Sequence, residues 1–128
     1  MADNTYNAIL AAIVDVVIKR GDAVTFTIPL YDPNNNNDPV DLSGYTRFLA
    51  QIKVDSGRET SIMTLDSDVS PEIVQGGTDD HELTFTITST KSDVKTGKYV
   101  WDVEADGDTT LIEGSFEVSK DVTRIVAP

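Results

Sequence analysis

His81, the one histidine of the chain, is the first candidate for acid–base chemistry because carboxylates flank it. Asp79, Asp80 and Glu82 are its sequence neighbours, and a nearby carboxylate can orient an imidazole. A serine hydrolase also needs a nucleophile on a sharp turn, and the Gly-x-Ser-x-Gly pattern of such a turn is missing. We therefore interpret His81 as a residue of a charged loop.

Three carboxylates at alternating positions, Asp102, Glu104 and Asp106, raise the possibility of paired acid and base catalysis. Alternation places them on one face of a strand, and two such groups could hydrolyse a glycosidic bond. The intervening Trp101 and Val103 are apolar and belong to the opposite face. We therefore expect the carboxylates to face solvent and predict no catalytic residue.

Metal binding is the next chemistry to consider, since aspartates offer hard oxygen ligands for Ca²⁺. The candidate groups are Asp66 with Asp68, Asp79 with Asp80, and Asp106 with Asp108. None follows the spacing of a calcium-binding loop. A typical zinc site is excluded by the single histidine and the absence of cysteine, and no phosphate-binding glycine loop is present. We predict no metal and no cofactor.

Aromatic side chains could instead bind a sugar, which stacks on exposed rings in carbohydrate-binding sandwiches. Trp101 is in phase with Val103, so we predict that it belongs to the core. Tyr6, Tyr31 and Tyr45 remain candidates for surface aromatics. A carbohydrate-binding sandwich that aids host adsorption is thus the alternative function.

Composition and charge narrow the class of protein further. Val, Ile and Thr make up 39 of the 128 residues, which favours strands over helices. The net charge of −12 disfavours binding to nucleic acid or to anionic lipid. No stretch is long and apolar enough to predict a membrane span.

The elements that must position these residues are short strands. Alternating or apolar runs predict strands at 13–19, 24–30, 45–54, 60–65, 82–88, 98–104 and 110–118. Pro29 places the second strand at a sheet edge or ends it there. Arg20-Gly21-Asp22 is interpreted as a turn rather than a cell-adhesion tripeptide, and Asp106-Gly107 as a two-residue hairpin turn. Residues 32–39 and most of 66–80 are predicted to be loops, and 89–96 a single helical turn.

This pattern predicts an all-β, immunoglobulin-like antiparallel β-sandwich of about seven strands, with a small closed barrel as the structural alternative. We assign 1–12 to an N-terminal arm, 13–121 to the sandwich and 122–128 to a C-terminal tail. Apolar residues in both terminal segments suggest flexible arms that become ordered against a neighbouring subunit, unless they fold back on their own sandwich. The predicted protein-interface residues are Tyr6, Ile9, Leu10, Ile125 and Val126.

Several segments, taken in order, resemble a known group of domains. Their sequences are Lys19-Arg20-Gly21-Asp22, Asp38-Pro39-Val40-Asp41-Leu42-Ser43-Gly44-Tyr45, Gly97-Lys98-Tyr99-Val100-Trp101-Asp102-Val103-Glu104 and Glu113-Gly114-Ser115-Phe116-Glu117-Val118. In order and spacing they resemble small immunoglobulin-like domains of tailed-bacteriophage virion proteins, including the N-terminal domain of baseplate upper proteins. The resemblance covers about residues 18–124.

The resemblance implies a non-enzymatic structural protein of a virion, assembled in the host cytoplasm. Such a subunit would dock on a capsid, tail or baseplate surface and contact other virion proteins. The chain ends after one domain and carries an N-terminal arm, which departs from baseplate upper proteins. We therefore expect a small subunit present in many copies, acting in decoration, as an adaptor or in fibre attachment.

Overall fold

The computed structural model describes residues 11–34, 36–55, 57 and 60–120. Within these ranges the chain forms eleven strands and one helical turn. They are β1 (Ala12–Ile13), β2 (Val16–Lys19), β3 (Val24–Pro29), β4 (Tyr31–Asp32), β5 (Asp38–Pro39), β6 (Phe48–Lys53), β7 (Ser61–Asp66), β8 (Ile73–Gly76), β9 (Glu82–Ile87), α1 (Ser89–Ser92), β10 (Gly97–Ala105) and β11 (Thr109–Ser119). The prediction of an all-β fold is confirmed.

The strands form two main sheets that enclose one core. The large sheet has the order β1–β11–β10–β6–β7, with β2 also paired to β11, and the small sheet has the order β3–β9–β8. All pairs are antiparallel except those of β1 and β2 with β11, which are parallel. In the strand nomenclature of immunoglobulin domains, the small sheet is B–E–D, and β6, β10 and β11 are C, F and G. The predicted immunoglobulin-like sandwich is therefore confirmed.

A tyrosine at the start of β10 reinforces this assignment. The Tyr99 hydroxyl donates a hydrogen bond to the backbone carbonyl of Lys95 at 2.5 Å, the geometry of the tyrosine corner of immunoglobulin domains. Two residues later, where those domains carry the second cysteine of their disulfide, this chain has Trp101. An aromatic side chain thus takes the place of the inter-sheet bond.

Aromatic rings join the two sheets at the centre of the core. Phe26 of β3 stacks on Phe85 of β9 with ring centroids 5.2 Å apart. The Trp101 ring meets Phe85 and Phe116 edge-on, with centroids 5.6 Å apart in both pairs. Trp101 is only 3% exposed, so its prediction as a core residue is confirmed.

Most of the strands predicted from alternation are present, with differences at their ends. β3 ends at Pro29 and is an edge of the small sheet, as predicted. The predicted strand 13–19 is interrupted at 14–15, and β1 begins at Ala12, within the predicted arm 1–12. Val54, the last residue of the predicted strand 45–54, is exposed because β6 ends one residue before it.

Two pairings lie in segments that the sequence predicted as loops. β8 pairs with β9 and completes the small sheet, and β4 pairs with β5 across the asparagine-rich loop. Both are only two to four residues long, so they offer too little alternation for a pattern to predict them. Packing of Ile73 into the core holds β8 in place.

Candidate interaction face

The interface residues predicted from the termini, Tyr6, Ile9, Leu10, Ile125 and Val126, lie outside the described residues. Their role stays a prediction. The described part of the chain nevertheless places other predicted residues in definite surroundings, and several of them lie on the outer face of the large sheet.

His81 is buried rather than exposed in a charged loop, which corrects the sequence-based interpretation. Its ring packs against that of Tyr31 at a centroid distance of 5.3 Å, beside the β4–β5 pair. Nδ1 is buried without a hydrogen-bond partner, and Nε2 lies 3.9 Å from a carboxylate oxygen of Glu82. No serine or threonine hydroxyl bonds to the imidazole within the described residues, so the geometry supplies no activated nucleophile.

Asp106 is exposed, and its carboxylate stabilises a turn through hydrogen bonds. Its Oδ1 accepts hydrogen bonds from the Thr46 amide at 2.9 Å, the Thr46 hydroxyl at 2.8 Å and the Arg47 amide at 2.9 Å. These donors, the Thr46 hydroxyl first, lower the pKa of Asp106. Of the three carboxylates at alternating positions, Asp106 therefore has a structural role, whereas Asp102 and Glu104 lie on the sheet.

A cluster of charges that we call the charged corner, Arg47, Asp66, Glu72 and Lys91, links the β7–β8 end of the molecule to α1. Arg47 forms an ion pair with Asp66, and this pairing lowers the pKa of Asp66. Glu72 accepts a hydrogen bond from the Asp66 amide at 2.9 Å, and the other oxygen of its carboxylate lies 2.6 Å from Lys91 Nζ. Lys91 Nζ also donates to the backbone carbonyl of Thr64 at 2.6 Å. The carboxylates of Asp66 and Glu72 are thus used to hold the fold.

No group of three or more histidine or acidic side chains that could hold a metal ion occurs within the described ranges. No helix in the part of the chain that the structure describes is long and apolar enough to cross a membrane.

The aromatic residues considered for sugar binding and the Arg20-Gly21-Asp22 tripeptide contact other parts of the fold. The Trp101 indole N–H donates to the backbone carbonyl of Val14 at 2.9 Å, so the ring is held inside and offers no platform for a sugar. Tyr31 is exposed on one side of its ring, and Tyr45 packs edge-on against Phe48. Arg20 of the tripeptide pairs with Asp93 at 2.9 Å in the turn between β2 and β3.

On the outer face of the small sheet, threonine hydroxyl groups form hydrogen bonds with one another. Thr27 and Thr84 face each other across β3 and β9 with their hydroxyl oxygens 2.8 Å apart. Thr25 and Thr86 repeat the arrangement with a separation of 3.3 Å. Cross-strand threonine pairs of this kind stabilise a sheet and leave few free polar groups.

The outer face of the large sheet is different, because it is hollowed and partly apolar. One hollow of about 300 Å³ is lined by Ile13, Gln51, Lys53, Val100, Trp101, Asp102, Glu113 and Gly114. A second, of about 290 Å³, is lined by Thr46, Arg47, Leu49, Glu104, Asp106 and Gly107. Both hollows lie along the central strands β6 and β10, and each has at least one carboxylate in its lining.

Asp102 and Glu113, which we call the acidic pair, are the distinctive feature of the first hollow. They are direct cross-strand neighbours on β10 and β11, where like charges destabilise a sheet. Asp102 is half-buried, and this burial, with a smaller contribution from Glu113, raises its pKa, whereas Lys53 acts in the opposite direction. Neither carboxylate forms an ion pair or accepts a hydrogen bond within the described residues.

β1 and the two residues that follow it form the rim of this hollow. Three contacts around Gly114 fix them in place. Besides accepting the indole hydrogen bond, Val14 donates its amide to the carbonyl of Glu113 at 2.9 Å, and Asp15 accepts from the Ser115 amide at 3.0 Å. A Cβ on Gly114 would lie 2.2 Å from the Val14 carbonyl oxygen, so only glycine permits this approach. The strand thereby presents Ile13 at the edge of the hollow, 70% exposed.

Chemically, this arrangement is suited to binding rather than to reaction. The hollow offers two carboxylates, the Lys53 ammonium, an amide and apolar side chains, without a nucleophile held against a base. Alternation predicted that Asp102 faces solvent but did not identify Glu113 as its neighbour. The alternation of β10 and β11 was the available signal, but the register between the two strands was needed to bring these residues together.

Comparisons with known proteins find similar solved structures but no matching sequence family. No family model and no curated protein sequence matches the chain. Among solved structures, the chain is similar to an endo-fucoidan hydrolase of glycoside hydrolase family 107, with 18% identity over 88% of this chain and a TM-score of 0.36, and it spans 13% of that chain. It is also similar to Tim-1, with 16% identity over 90% of this chain and 99% of that chain, and a TM-score of 0.36. Similarity to CD84 extends over 88% of this chain and 100% of that chain, at 13% identity and a TM-score of 0.31. Similarities at this level carry no functional argument, and the fold assignment stands on the sheet topology.

Proposed function

We propose that the chain is a non-enzymatic structural protein of a bacteriophage virion, an immunoglobulin-like subunit that docks on a capsid, tail or baseplate surface and contacts neighbouring subunits. Its location would then be the virion, assembled in the host cytoplasm, and its partners other virion proteins or further copies of itself. The virion part of the proposal is supported by the resemblance of its ordered segments to phage domains.

The observation that carries the docking part is the outer face of the large sheet. It combines exposed Ile13 and Val17, 70% and 66% exposed, with the unpaired carboxylates of the acidic pair. A rigid sandwich presents such a face without reorganisation, which lowers the entropic cost of binding. The non-enzymatic part is supported by the surroundings of His81 and Asp106, which are engaged in packing and in a turn.

The experiment is detection of the chain in purified particles. Lysates from cells producing the phage would be fractionated on a density gradient, and mass spectrometry would measure the copy number of the chain per particle. We expect a defined number of copies that co-migrate with particles, and a lower occupancy for a variant that lacks residues 1–10, which leaves β1 intact. A Thr27→Val variant, altered on the self-satisfied small sheet, is the matched control and should keep full occupancy. Absence of the native chain from particles would contradict the proposal, whereas unchanged occupancy of the truncated variant would contradict only the role of the arm.

A further inference from the structure

The outer face of the large sheet contains a cross-strand pair of like charges, which does not help to stabilise the fold. Lys98 and Glu117 face each other across β10 and β11 as opposite charges. Four residues further along β10, on the same face, Asp102 faces Glu113, so the same two strands bring like charges together. A position that weakens the free protein in this way is typical of a binding site.

The second cross-strand neighbour of Asp102 does not neutralise it. On β6 the register places Gln51 opposite Asp102. Lys53, a diagonal neighbour that lines the same hollow, attracts Asp102 more strongly than Glu113 repels it, but it forms no ion pair within the described residues. The half-buried carboxylate therefore lines the hollow without a direct ion-pair contact among the described residues, beside apolar Val100 and Ile13.

We propose that this hollow binds a protein segment that carries an arginine among apolar side chains, with its guanidinium between Asp102 and Glu113. The inference rests on the proposed docking function and names the chemistry of the partner. A guanidinium has five donors in a planar fork and can bridge two carboxylates. The apolar neighbours of the arginine would then cover Ile13 and Val100.

Other occupants fit these observations less well. Calcium takes six to eight oxygen ligands, and the described residues provide only two carboxylates at this place. A lysine ammonium is more strongly hydrated than a guanidinium, so its entry into a half-buried hollow costs more. A second copy of the chain in a twofold interface would bring one acidic pair towards another, in a protein whose net charge is −12.

The test is an NMR titration of the full-length, ¹⁵N-labelled chain with two defined peptides. The first probe is acetyl-Val-Arg-Val-Arg-Val-amide, and the second has citrulline in place of both arginines, which keeps the shape and removes the charge. We expect the arginine peptide to shift the amide signals of Gln51, Asp102 and Glu113, with a Kd about tenfold lower than that of the citrulline peptide. Equal binding of the two peptides, or shifts confined to other surfaces, would overturn the proposal.

Variants of the acidic pair make the test specific. Asp102→Asn and Glu113→Gln should each raise the Kd for the arginine peptide about tenfold. Glu117→Gln, on the same face but opposite Lys98, is the matched control and should leave the Kd unchanged. Native affinity in both pair variants would show that the guanidinium does not bind there. Because either variant alone can be judged against a native-like spectrum, failure of one to fold leaves the other decisive.

Three further outcomes separate this inference from a self-association site and from the proposed function. If sedimentation shows that the free chain dimerises and that Asp102→Asn strengthens the dimer, a second copy occupies the face and the arginine proposal is wrong. Peptide binding by a chain that is absent from particles would sustain the site and contradict the virion function. A chain found in particles that binds neither peptide would contradict the site alone.

Discussion

The charged corner and the acidic pair both place carboxylates on or beside the large sheet, but different groups face those carboxylates. In the charged corner, Glu72 is 12% exposed and meets both a lysine ammonium and a backbone amide. In the acidic pair, Asp102 is half-buried and faces another carboxylate and a glutamine, and Lys53 attracts it only as a diagonal neighbour outside ion-pair contact. The charges of the charged corner therefore stabilise the domain, whereas we expect the acidic pair to destabilise it and to be available to a partner.

The largest effect expected from this comparison is the loss of Glu72. Glu72→Gln removes the charge that faces Lys91, whose side chain is 35% exposed, and leaves the ammonium without an ion-pair partner, although it still donates to the Thr64 carbonyl. We expect the free energy of unfolding to fall by about 2 kcal/mol, less than for a fully buried pair because solvent screens the lysine. Urea denaturation at pH 7 measures this change. The control is Glu113→Gln, which should cause no loss of stability. Equal losses in the two variants would remove the distinction between the regions.

Acid should weaken the charged corner through Asp66. Its pKa is lowered chiefly by Arg47, so the folded protein releases this proton more readily than the unfolded chain does. The resulting stabilisation is present above the ordinary aspartate pKa and is lost as the pH falls through the lowered value. We expect Asp66→Asn to cost about 1 kcal/mol at pH 7 and much less near pH 2. Urea denaturation series over this pH range measure both. A cost that does not change with pH would show that the charge of Asp66 is not what stabilises the corner.

The longer strands of the two sheets could largely be predicted from the sequence. β3, β9 and β10 alternate apolar and polar residues, and burial of one face fixes which side chains point inward. The same alternation placed Trp101 in the core and Asp102 outside. These elements were predictable because each is long enough to show its period of two.

The acidic pair could not be predicted because it depends on strand register. Asp106-Gly107 indicated a two-residue turn, whereas the turn spans 106–108, with positive φ at Asp106 and Gly107. A further register shift follows Val103, where β11 contains an extra residue, Leu111, which is also buried. Together these features bring Glu113 opposite Asp102. The burial of His81 could not be predicted for a related reason. Tyr31, whose ring packs against His81, lies fifty positions away in the sequence, in a strand pair too short to predict.

Asp102→Asn should act in the opposite direction from the variants of the charged corner. Burial raises the pKa of Asp102, so the folded protein holds this proton more tightly than the unfolded chain does. The contribution of Asp102 to stability therefore declines as the pH rises through the ordinary aspartate pKa to the raised one. We expect Asp102→Asn to increase the free energy of unfolding by about 0.5 kcal/mol at pH 7 and to leave it unchanged near pH 2. Urea denaturation at the two pH values provides the measurement. A loss of stability at pH 7 would mean that Asp102 has a structural partner after all.

The smallest expected effect comes from Lys98. Its variant can be compared most directly with Asp102→Asn, because both residues lie on β10 and face β11. Lys98→Gln removes one charge from the opposite-charge pair with Glu117, just as Asp102→Asn removes one from the like-charge pair with Glu113. Both side chains point to the same outer face, so differences in strand propensity and in core packing largely cancel. We expect Lys98→Gln to lower the free energy of unfolding by about 0.3 kcal/mol and Asp102→Asn to raise it. Both changes should shrink in 1 M NaCl, where the Debye length is about 3 Å, and the exposed Lys98 should lose more of its effect than the half-buried Asp102. Changes of the same sign would show that cross-strand charge does not govern this face, and the case for a cation-binding hollow would then rest on its shape alone.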